Sequence, residues 1–298
     1  MGVDGSWLWL IAACMFGLYG VRGLAHHVIL RGLRAPRVVH EQDFLAIDPG
    51  GRKIRCPTKG GKTLFGWFSK GTDALPGPAV LVMHGWGANA AMMSACLAPL
   101  RAAGFLVLLL DARCHGLSDD ETFTSLPRFA EDIGAGLDWL RKQPVVDPLR
   151  LAVIGHSVGA GAALLSATRH PQLRAVVSIS AFAHPNEVMR RFLSSHGVVY
   201  PVIGWYVLRH VQRVIGARFD DIAPVNTIVR VACPVLLVHG TQDEMVPFDD
   251  ARRLYAAARA GGVSLMAVAG HHDPSDALVE ELPQIVDFLQ QAMCTDQP

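Results

Sequence analysis

The sequence predicts an α/β protein built on a doubly wound, mostly parallel β-sheet. Two observations support this prediction: continuous apolar runs, and helical patterns between those runs. The length of 298 residues suits one large domain or two small ones, with enough chain for a core in either case. The apolar runs lack the alternation of a half-exposed strand. Strands that are apolar on both faces belong to parallel sheets covered by helices on each side, and right-handed crossovers connect them by default.

The order of the elements follows from these patterns. Two strands are expected first, over residues 38–47 and 64–69, with a turn at Gly60-Gly61 between them. Six buried strands follow, at residues 79–83, 105–110, 151–154, 175–179, 235–238 and 263–268. Helical patterns lie at residues 90–103, 126–142, 158–169, 249–260 and 277–293. Strand and helix therefore alternate through most of residues 79–293.

One interval, residues 184–230, breaks this alternation because it contains no buried strand. It carries the run VVYPVIGWYVL at 198–208 and apolar residues at 189–193 and 211–215. We expect a helical insertion, which lies over the ligand crevice when it follows the carboxyl end of a strand. It either packs on the sheet only or forms an apolar lid over the site.

The first residues contain an uncharged apolar run, WLWLIAACMFGLYGV at 7–21. Trp7, Trp9 and Tyr19 near its ends suit the aromatic belts of membrane-spanning segments. A cleaved signal peptide is one alternative, although no basic residue precedes the run. A buried core helix is another, because such a run spans only about 22 Å. We expect an anchor with its basic flank over residues 1–35 and the main domain over residues 36–298.

Charge and cysteine content bear on location and partners. Four arginines follow the apolar run and no basic residue precedes it: Arg22, Arg31, Arg34 and Arg37. The positive-inside rule then places the N-terminus outside the cell membrane and the main domain in the cytoplasm. The six cysteines are scattered, which agrees with a reducing compartment. The balance of 27 Lys+Arg against 26 Asp+Glu argues against nucleic-acid binding. The sequence does not indicate an oligomeric state.

The strongest motif is Gly155-His156-Ser157-Val158-Gly159, which follows a buried strand and opens a helix of small residues. This strand–turn–helix context is that of the G-x-S-x-G nucleophile elbow. The serine occupies a strained turn, so the residues two positions away must be small enough for strand and helix to pack. The motif predicts Ser157 as a nucleophile, with the helix N-terminus favouring negative charge beside it.

A serine nucleophile needs a base and an orienting acid, which follow it in the order Ser, Asp, His in this kind of fold. Asp243 lies in the loop after the strand at 235–238, and its neighbour Glu244 is the alternative acid. His271 and His272 follow the strand at 263–268. We favour His271 as the base because it comes directly after Gly270, and His272 is the alternative.

The loop His84-Gly85-Trp86-Gly87 follows the strand at 79–83 and precedes a helix. At this position such a fold supplies one peptide N–H of an oxyanion hole, and the residue after the nucleophile supplies the other. We assign these donors to Trp86 and Val158. His84 is expected to support the loop without a catalytic role.

Five segments together resemble the α/β-hydrolase superfamily over roughly residues 60–293: HGWG at 84–87, DARCHGLSD at 111–119, GHSVG at 155–159, HGTQDEMVP at 239–247 and GHHD at 270–273. The similarity is greatest to serine hydrolases of the monoacylglycerol-lipase-like and serine-aminopeptidase-like branch. It implies a structural role for Asp111, Arg113, His115, Gly116 and Ser118. This sequence departs from the pattern at Cys114, where glycine is usual, which suggests a different local backbone.

The expected activity is hydrolysis of carboxylic esters or thioesters of acyl or lipid-like small molecules through an acyl-enzyme. A serine peptidase or amidase of the same fold is the alternative, and a non-catalytic binding protein of this fold is a further one. No cofactor or metal is predicted, since no HExxH motif or zinc-type Cys/His spacing occurs. Gly61-Lys62-Thr63 imitates a P-loop, but Cys56 replaces its first glycine.

Overall fold

A computed structural model describes residues 6–41, 44–71, 75–198, 200, 203–259, 261–272 and 275–294. The predicted α/β architecture is confirmed: one eight-stranded sheet has helices on both faces. Two clusters of buried apolar side chains lie in the body. Alternate residues of one strand fall into different clusters, as Leu81 and Val82 do, because successive side chains point to opposite faces of the sheet.

The elements are numbered in chain order. The strands are β1 Arg52–Thr58, β2 Lys62–Ser69, β3 Gly77–Met83, β4 Leu106–Leu110, β5 Val146–His156, β6 Ala175–Ile179, β7 Val235–Gly240 and β8 Val263–Val268. The helices are α1 Ser6–Gly32, α2 Phe44–Ile47, α3 Leu97–Ala102, α4 Leu126–Arg141, α5 Val158–Arg169, α6 Pro185–Ser195, α7 Ile203–Ile215, α8 Phe219–Ile222, α9 Pro224–Thr227, α10 Phe248–Ala257 and α11 Ser275–Cys294. Short 3₁₀ helices are Lys59–Gly61, Ala90–Cys96 and Ile228–Arg230.

The strand order is β1-β2-β4-β3-β5-β6-β7-β8. Strand β2 is antiparallel to both β1 and β4, and the remaining pairs are parallel. The parallel strands end at one edge of the sheet, so the loops after β3, β5, β7 and β8 lie together there. This edge is where ligands bind in open α/β sheets.

The helices and five of the six predicted buried strands agree closely with the sequence prediction. The sixth, β8, is a strand as predicted but is largely not buried: it lies at the edge of the sheet, and Val268 is its one buried residue. The first predicted strand is wrong. Residues 38–41 form no regular structure, and residues 44–47 form helix α2 instead. The actual strand β1 alternates charged residues with the buried Ile54 and Cys56, as an edge strand does. Lys59–Gly61 does connect β1 to the antiparallel β2.

The interval at residues 184–230 is helical, as predicted, and comprises α6 to α9 with a short 3₁₀ turn. Within it, Leu208 and Val211 of α7 are buried, whereas Ile203 and Trp205 are 58% and 56% exposed. Residues 199, 201 and 202 of the predicted apolar run at 198–208 lie outside the described residues.

Helix α1 is longer than the apolar run that predicted it. By length and composition its segment Trp9–Gly32 could cross a membrane, and little of it is buried. Phe16 is 83% exposed, so α1 is not the core helix that was one alternative. Only its last turns pack on the body, where Ile29 and the following Leu33 share a cluster with α7. The division of the chain at residue 35 stays a prediction.

Candidate active site

The turn between β5 and α5 brings Ser157 to the edge of the sheet in a strained backbone conformation. Its φ of 55° and ψ of −117° lie where residues with a side chain are rare. A Cβ on Gly155 would lie 2.2 Å from the Gly159 carbonyl oxygen, and one on Gly159 would lie 2.3 Å from the His84 carbonyl oxygen. Both glycines of the motif are therefore required by the close approach of backbones.

Ser157, His272 and Asp243 form a continuous hydrogen-bonded chain. The Ser157 Oγ lies 3.0 Å from His272 Nε2, and His272 Nδ1 lies 2.8 Å from Asp243 Oδ2. Because an ionised carboxylate only accepts, Nδ1 carries the ring proton in neutral His272 and donates it to Asp243. The unprotonated Nε2 then faces the serine hydroxyl and accepts its hydrogen bond. This arrangement suits removal of the serine proton.

The preference for His271 is corrected by this geometry. The His271 side chain is exposed, and its Nδ1 lies 3.1 Å from the carbonyl oxygen of Gln242 rather than beside Ser157. The Gly270 carbonyl accepts a hydrogen bond from Gln242 N–H at 3.0 Å, which fixes the path of the loop after β8. On that path the second histidine, not the first, turns toward the nucleophile. Asp273, the last residue of the GHHD motif, lies outside the described residues.

Asp243 is held as a carboxylate by a ring of donors. Its Oδ1 accepts the backbone N–H groups of Met245 and Val246 at 3.0 and 2.7 Å. Burial alone would raise the pKa of Asp243, but hydrogen bonds from His239, His272 and Val246 bring the pKa well below its ordinary value. The alternative acid, Glu244, makes none of these contacts in the part of the chain that the structure describes.

Two buried histidines hold the loop after β3. His84 bonds to Gly85, the residue before Trp86, and His115 bonds to Gly87, the residue after it. His84 Nε2 accepts the N–H of Ala112 at 3.1 Å, while its Nδ1 donates to the Gly85 carbonyl. His115 Nε2 accepts the N–H of Gly87 at 3.2 Å. Burial lowers the pKa of His84, and burial together with the neighbouring His84 lowers the pKa of His115 to about 3. Both rings are therefore neutral, as these acceptor roles require, and His84 supports the loop as predicted.

The peptide N–H groups of Trp86 and Val158 have no hydrogen-bond acceptor within the described ranges. The adjoining Gly87 N–H and Ser157 N–H each have one, His115 Nε2 and the Ile179 carbonyl oxygen. A Cβ on Gly85 would lie 3.1 Å from Ser157 Cβ, so the loop passes directly beside the nucleophile. The structure thus brings the Trp86 loop to the elbow that carries Val158.

The segment at residues 111–119, directly after β4, holds neighbouring loops in place through hydrogen bonds. Asp111 is fully buried and accepts the N–H groups of Ala90 and Leu117 at 2.7 and 2.8 Å. Cys114 has a φ of 68°, a left-handed conformation that glycine adopts more readily than a residue with a side chain. Its backbone N–H donates to the Asp119 carbonyl at 3.0 Å, which holds this strained conformation.

Sequence reasoning missed three histidines that serve the site. His156 Nε2 lies 3.0 Å from the His272 carbonyl oxygen and so anchors the loop that carries His272. His239 Nε2 lies 2.8 Å from the Val246 carbonyl oxygen and 3.4 Å from Asp243 Oδ2. His40 Nε2 lies 2.9 Å from Asp111 Oδ2. The positions of His156 beside the nucleophile and His239 at a strand end were available signals, whereas nothing near His40 marked it.

Among the described residues, no group of three or more His, Cys, Asp and Glu side chains could hold a metal ion. The loops after β5, β7 and β8 bring the Ser157 hydroxyl, the His272 imidazole and the Asp243 carboxylate together at one edge of the sheet.

We compared the chain with known protein families and with individual relatives. The family described as serine aminopeptidase, S33, matches residues 75–218. An uncharacterized protein of Mycobacterium tuberculosis is 33% identical over 227 residues, which are 76% of this chain and 74% of that protein. A thiohydrolase of Arthrinium phaeospermum is 33% identical over 129 residues, covering 40% of each chain.

The fold has solved counterparts as well. An esterase of Pyrococcus furiosus superposes with a TM-score of 0.71 at 20% sequence identity, over 88% of this chain and 98% of that one. An eight-stranded sheet with a serine elbow defines an α/β hydrolase. The chain belongs to the α/β-hydrolase superfamily, as the motifs predicted.

Proposed function

We propose that this protein is a serine hydrolase that cleaves carboxylic esters or thioesters through an acyl-enzyme. The hydrogen-bonded chain from Ser157 through His272 to Asp243 carries this proposal. His272 Nε2 removes the proton of Ser157 as Oγ attacks the substrate carbonyl carbon. Asp243 fixes the ring tautomer and stabilises the imidazolium that forms.

The oxyanion of the tetrahedral intermediate requires donors that are not already engaged. The N–H groups of Trp86 and Val158 meet this requirement, because neither has a hydrogen-bond acceptor among the described residues. The imidazolium of His272 then donates its proton to the leaving alcohol or thiol, which departs and leaves Ser157 acylated. Water attacks the acyl-enzyme with His272 as the base, and the acid product leaves.

Two features of the molecule favour an acyl or lipid-like substrate. The insertion above the sheet edge presents Phe192, Ile203 and Trp205 as exposed apolar side chains. Helix α1 contacts this insertion, since His26 Nδ1 lies 2.9 Å from His210 Nε2 of α7. The names of the related thiohydrolase and of the structurally similar esterase agree with cleavage of thioesters and esters. We treat α6 to α9 as an apolar lid.

We also propose that α1 anchors the protein in the cell membrane with the hydrolase domain on the cytoplasmic side. The exposure of its apolar side chains and the four arginines that follow residue 21 support this placement. A cleaved signal peptide is the competing interpretation of the same segment.

A panel of substrates tests the activity. We expect purified full-length protein in detergent to hydrolyse p-nitrophenyl esters of graded chain length, with higher kcat/KM for longer acyl chains. Aminoacyl amides measured beside them test the peptidase alternative. Faster cleavage of the amides would favour that alternative, and absence of turnover on every substrate would favour a binding protein. The Ser157→Ala variant serves as the matched control.

A further inference from the structure

The chain that leaves α1 passes across the loop that carries Trp86. We call residues 36–40 the strap. The ring of Pro36 lies against Gly87, where an added Cβ would be 3.1 Å from Pro36 Cγ. The carbonyl oxygens of Val38 and Val39 accept hydrogen bonds from Asn89 Nδ2 at 3.1 and 3.3 Å. The strap therefore touches the loop on the C-terminal side of Trp86.

Asn89 transmits this contact to the element that follows the loop. Its side chain is buried, and its Oδ1 accepts the N–H of Ala91 at 3.0 Å, which caps the 3₁₀ helix Ala90–Cys96. A single amide group thus connects the strap to the point where the loop ends.

His40, the last residue of the strap, bonds to Asp111 in the segment after β4. His40 Nε2 donates to Asp111 Oδ2 at 2.9 Å, and the His40 ring packs edge-on against Phe65. The Oδ1 of Asp111 accepts the N–H of Ala90. Burial works against ionisation of Asp111, but the hydrogen bond from His40 helps to hold its pKa below the ordinary value. The contact between His40 and Asp111 therefore reaches the peptide immediately after Asn89.

Arg37 attaches the strap to the segment at residues 111–119. Its Nη1 donates to the carbonyl oxygens of Gly116 and Ser118 at 2.6 and 2.9 Å. The same segment contains His115, whose Nε2 holds the N–H of Gly87. Two routes therefore connect the strap to the loop, one through Asn89 and Asp111 and one through the segment that carries His115.

From these contacts we infer that the strap positions the Trp86 N–H for catalysis. Trp86 stands between two glycines, and such a loop has wide conformational freedom unless other residues restrict it. A donor stabilises an oxyanion only when it lies about 2.7–3.1 Å from it. The strap is a positioning element, and this role rests on the proposed function. The strap begins four residues after α1 ends at Gly32. A short segment held by these contacts therefore joins helix α1 to the loop that carries Trp86.

Three variants of the full-length protein in detergent test this inference. Asn89→Ser keeps a side chain that caps helices well but removes the donor to the strap. His40→Leu removes the donor to Asp111, and His40→Gln restores an N–H at a similar position. Arg34→Gln is the matched control, because Arg34 precedes the strap and its ion pair with Asp120 is 54% and 61% exposed. Asp120 also pairs with Arg37 of the strap at 3.4 Å, and this substitution leaves that pair in place.

The readouts are kcat, KM and the inhibition constant of a trifluoromethyl ketone, which forms a tetrahedral adduct on the serine. We expect Asn89→Ser and His40→Leu to lower kcat about tenfold, a fraction of the loss that follows removal of an oxyanion donor. The ketone should bind more weakly by about the same factor, with KM unchanged, because only transition-state interactions are lost. His40→Gln should recover most of the activity, and Arg34→Gln should behave as the wild type.

Unchanged kcat and ketone affinity in folded Asn89→Ser and His40→Leu would overturn the inference, and so would a rise in KM alone. If these variants do not fold, Pro36→Gly and Arg37→Gln test the same role at partly exposed side chains, with the same expected and contrary results. A wild-type protein without esterase activity or labelling at Ser157 would instead refute the proposed function. The two failures are therefore distinct.

Discussion

Two adjacent histidines, His271 and His272, differ completely in their surroundings. His272 lies between Ser157 and Asp243, whereas His271 faces solvent beside the Gln242 carbonyl. Neighbouring side chains in an extended loop point in opposite directions, so only one of the two can reach the nucleophile. The sequence pattern could not decide between them, because the choice depends on how the Gln242 N–H holds the Gly270 carbonyl in the loop after β8.

This difference predicts unequal effects of two matched substitutions. We expect His272→Ala to lower kcat for a p-nitrophenyl ester by about 10⁴-fold or more, since it removes the base of a coupled triad. His271→Ala should change kcat by less than about threefold, in line with its position away from the nucleophile. Steady-state kinetics of both variants check this. The reverse order of effects would restore His271 as the base.

Asp243 gives a prediction for the dependence of stability on pH. Its pKa is lowered in the folded protein, so its ionised form contributes stability at neutral pH that disappears as the pH falls through the folded-state pKa. We expect the wild type to be more stable than Asp243→Asn at pH 7, and the difference to shrink below about pH 4, the pKa of an unfolded aspartate. Urea unfolding of both proteins between pH 7 and pH 2 measures it. A difference that grows toward low pH would contradict the assigned direction.

At the scale of elements, the junction of β3, β5 and α5 depends on Gly159. A Cβ there would lie 2.3 Å from the His84 carbonyl oxygen and 2.8 Å from that of Met83, so backbone would have to move. We expect Gly159→Ala to cost about 2 kcal/mol or more of stability and to lower activity, as overpacking against backbone does. Chemical denaturation and esterase assays measure the two effects.

Gly134→Ala in α4 provides the control for that substitution. Its Cβ would meet only the tip of the His170 ring, at 3.0 Å, and alanine favours a helix by up to about 1 kcal/mol over glycine. We expect it to be neutral or stabilising with unchanged activity. Equal losses in both variants would show that Gly159 has no special role at the elbow.

The sequence predicts well those strands and helices whose pattern of apolar residues matches the faces that are buried in the fold. Strand β6 and helix α5 have the predicted bounds, because each is a continuous apolar or small-residue run with clear ends. Strand β1 was missed, since its alternation of charged residues with Ile54 and Cys56 is short and contains Pro57. The contacts of His40 and Asn89 with distant segments were also out of reach, because they depend on how the chain returns to the sheet after α1.

At the scale of the whole molecule, the low charged fraction of 18% has two structural sources. Strands such as β4 and β6 are buried on both faces and carry no charge. Helix α1 holds a cluster of exposed apolar side chains that water does not favour. Exposed apolar side chains also lie on α7, which α1 contacts. Much of the exposed apolar surface of the described residues therefore belongs to α1 and to the helical insertion at residues 184–230.

This distribution predicts firm attachment to membranes. We expect the full-length protein to stay with the membrane fraction after extraction at alkaline pH, because α1 is long enough to span the hydrocarbon core. Immunoblotting of pellet and supernatant measures the outcome. Release of full-length protein into the supernatant would contradict an anchor, and a shortened mature N-terminus would indicate a signal peptide instead.

We propose that Ser157 is a nucleophile activated by His272, and covalent labelling of the serine checks this. Folded wild-type protein is incubated with a fluorophosphonate probe, and the modified peptide is identified by mass spectrometry. We predict one adduct on Ser157, none in Ser157→Ala, and strongly slowed labelling in His272→Ala but not in His271→Ala. No adduct on the folded wild type, or labelling that persists in Ser157→Ala, would contradict the claim.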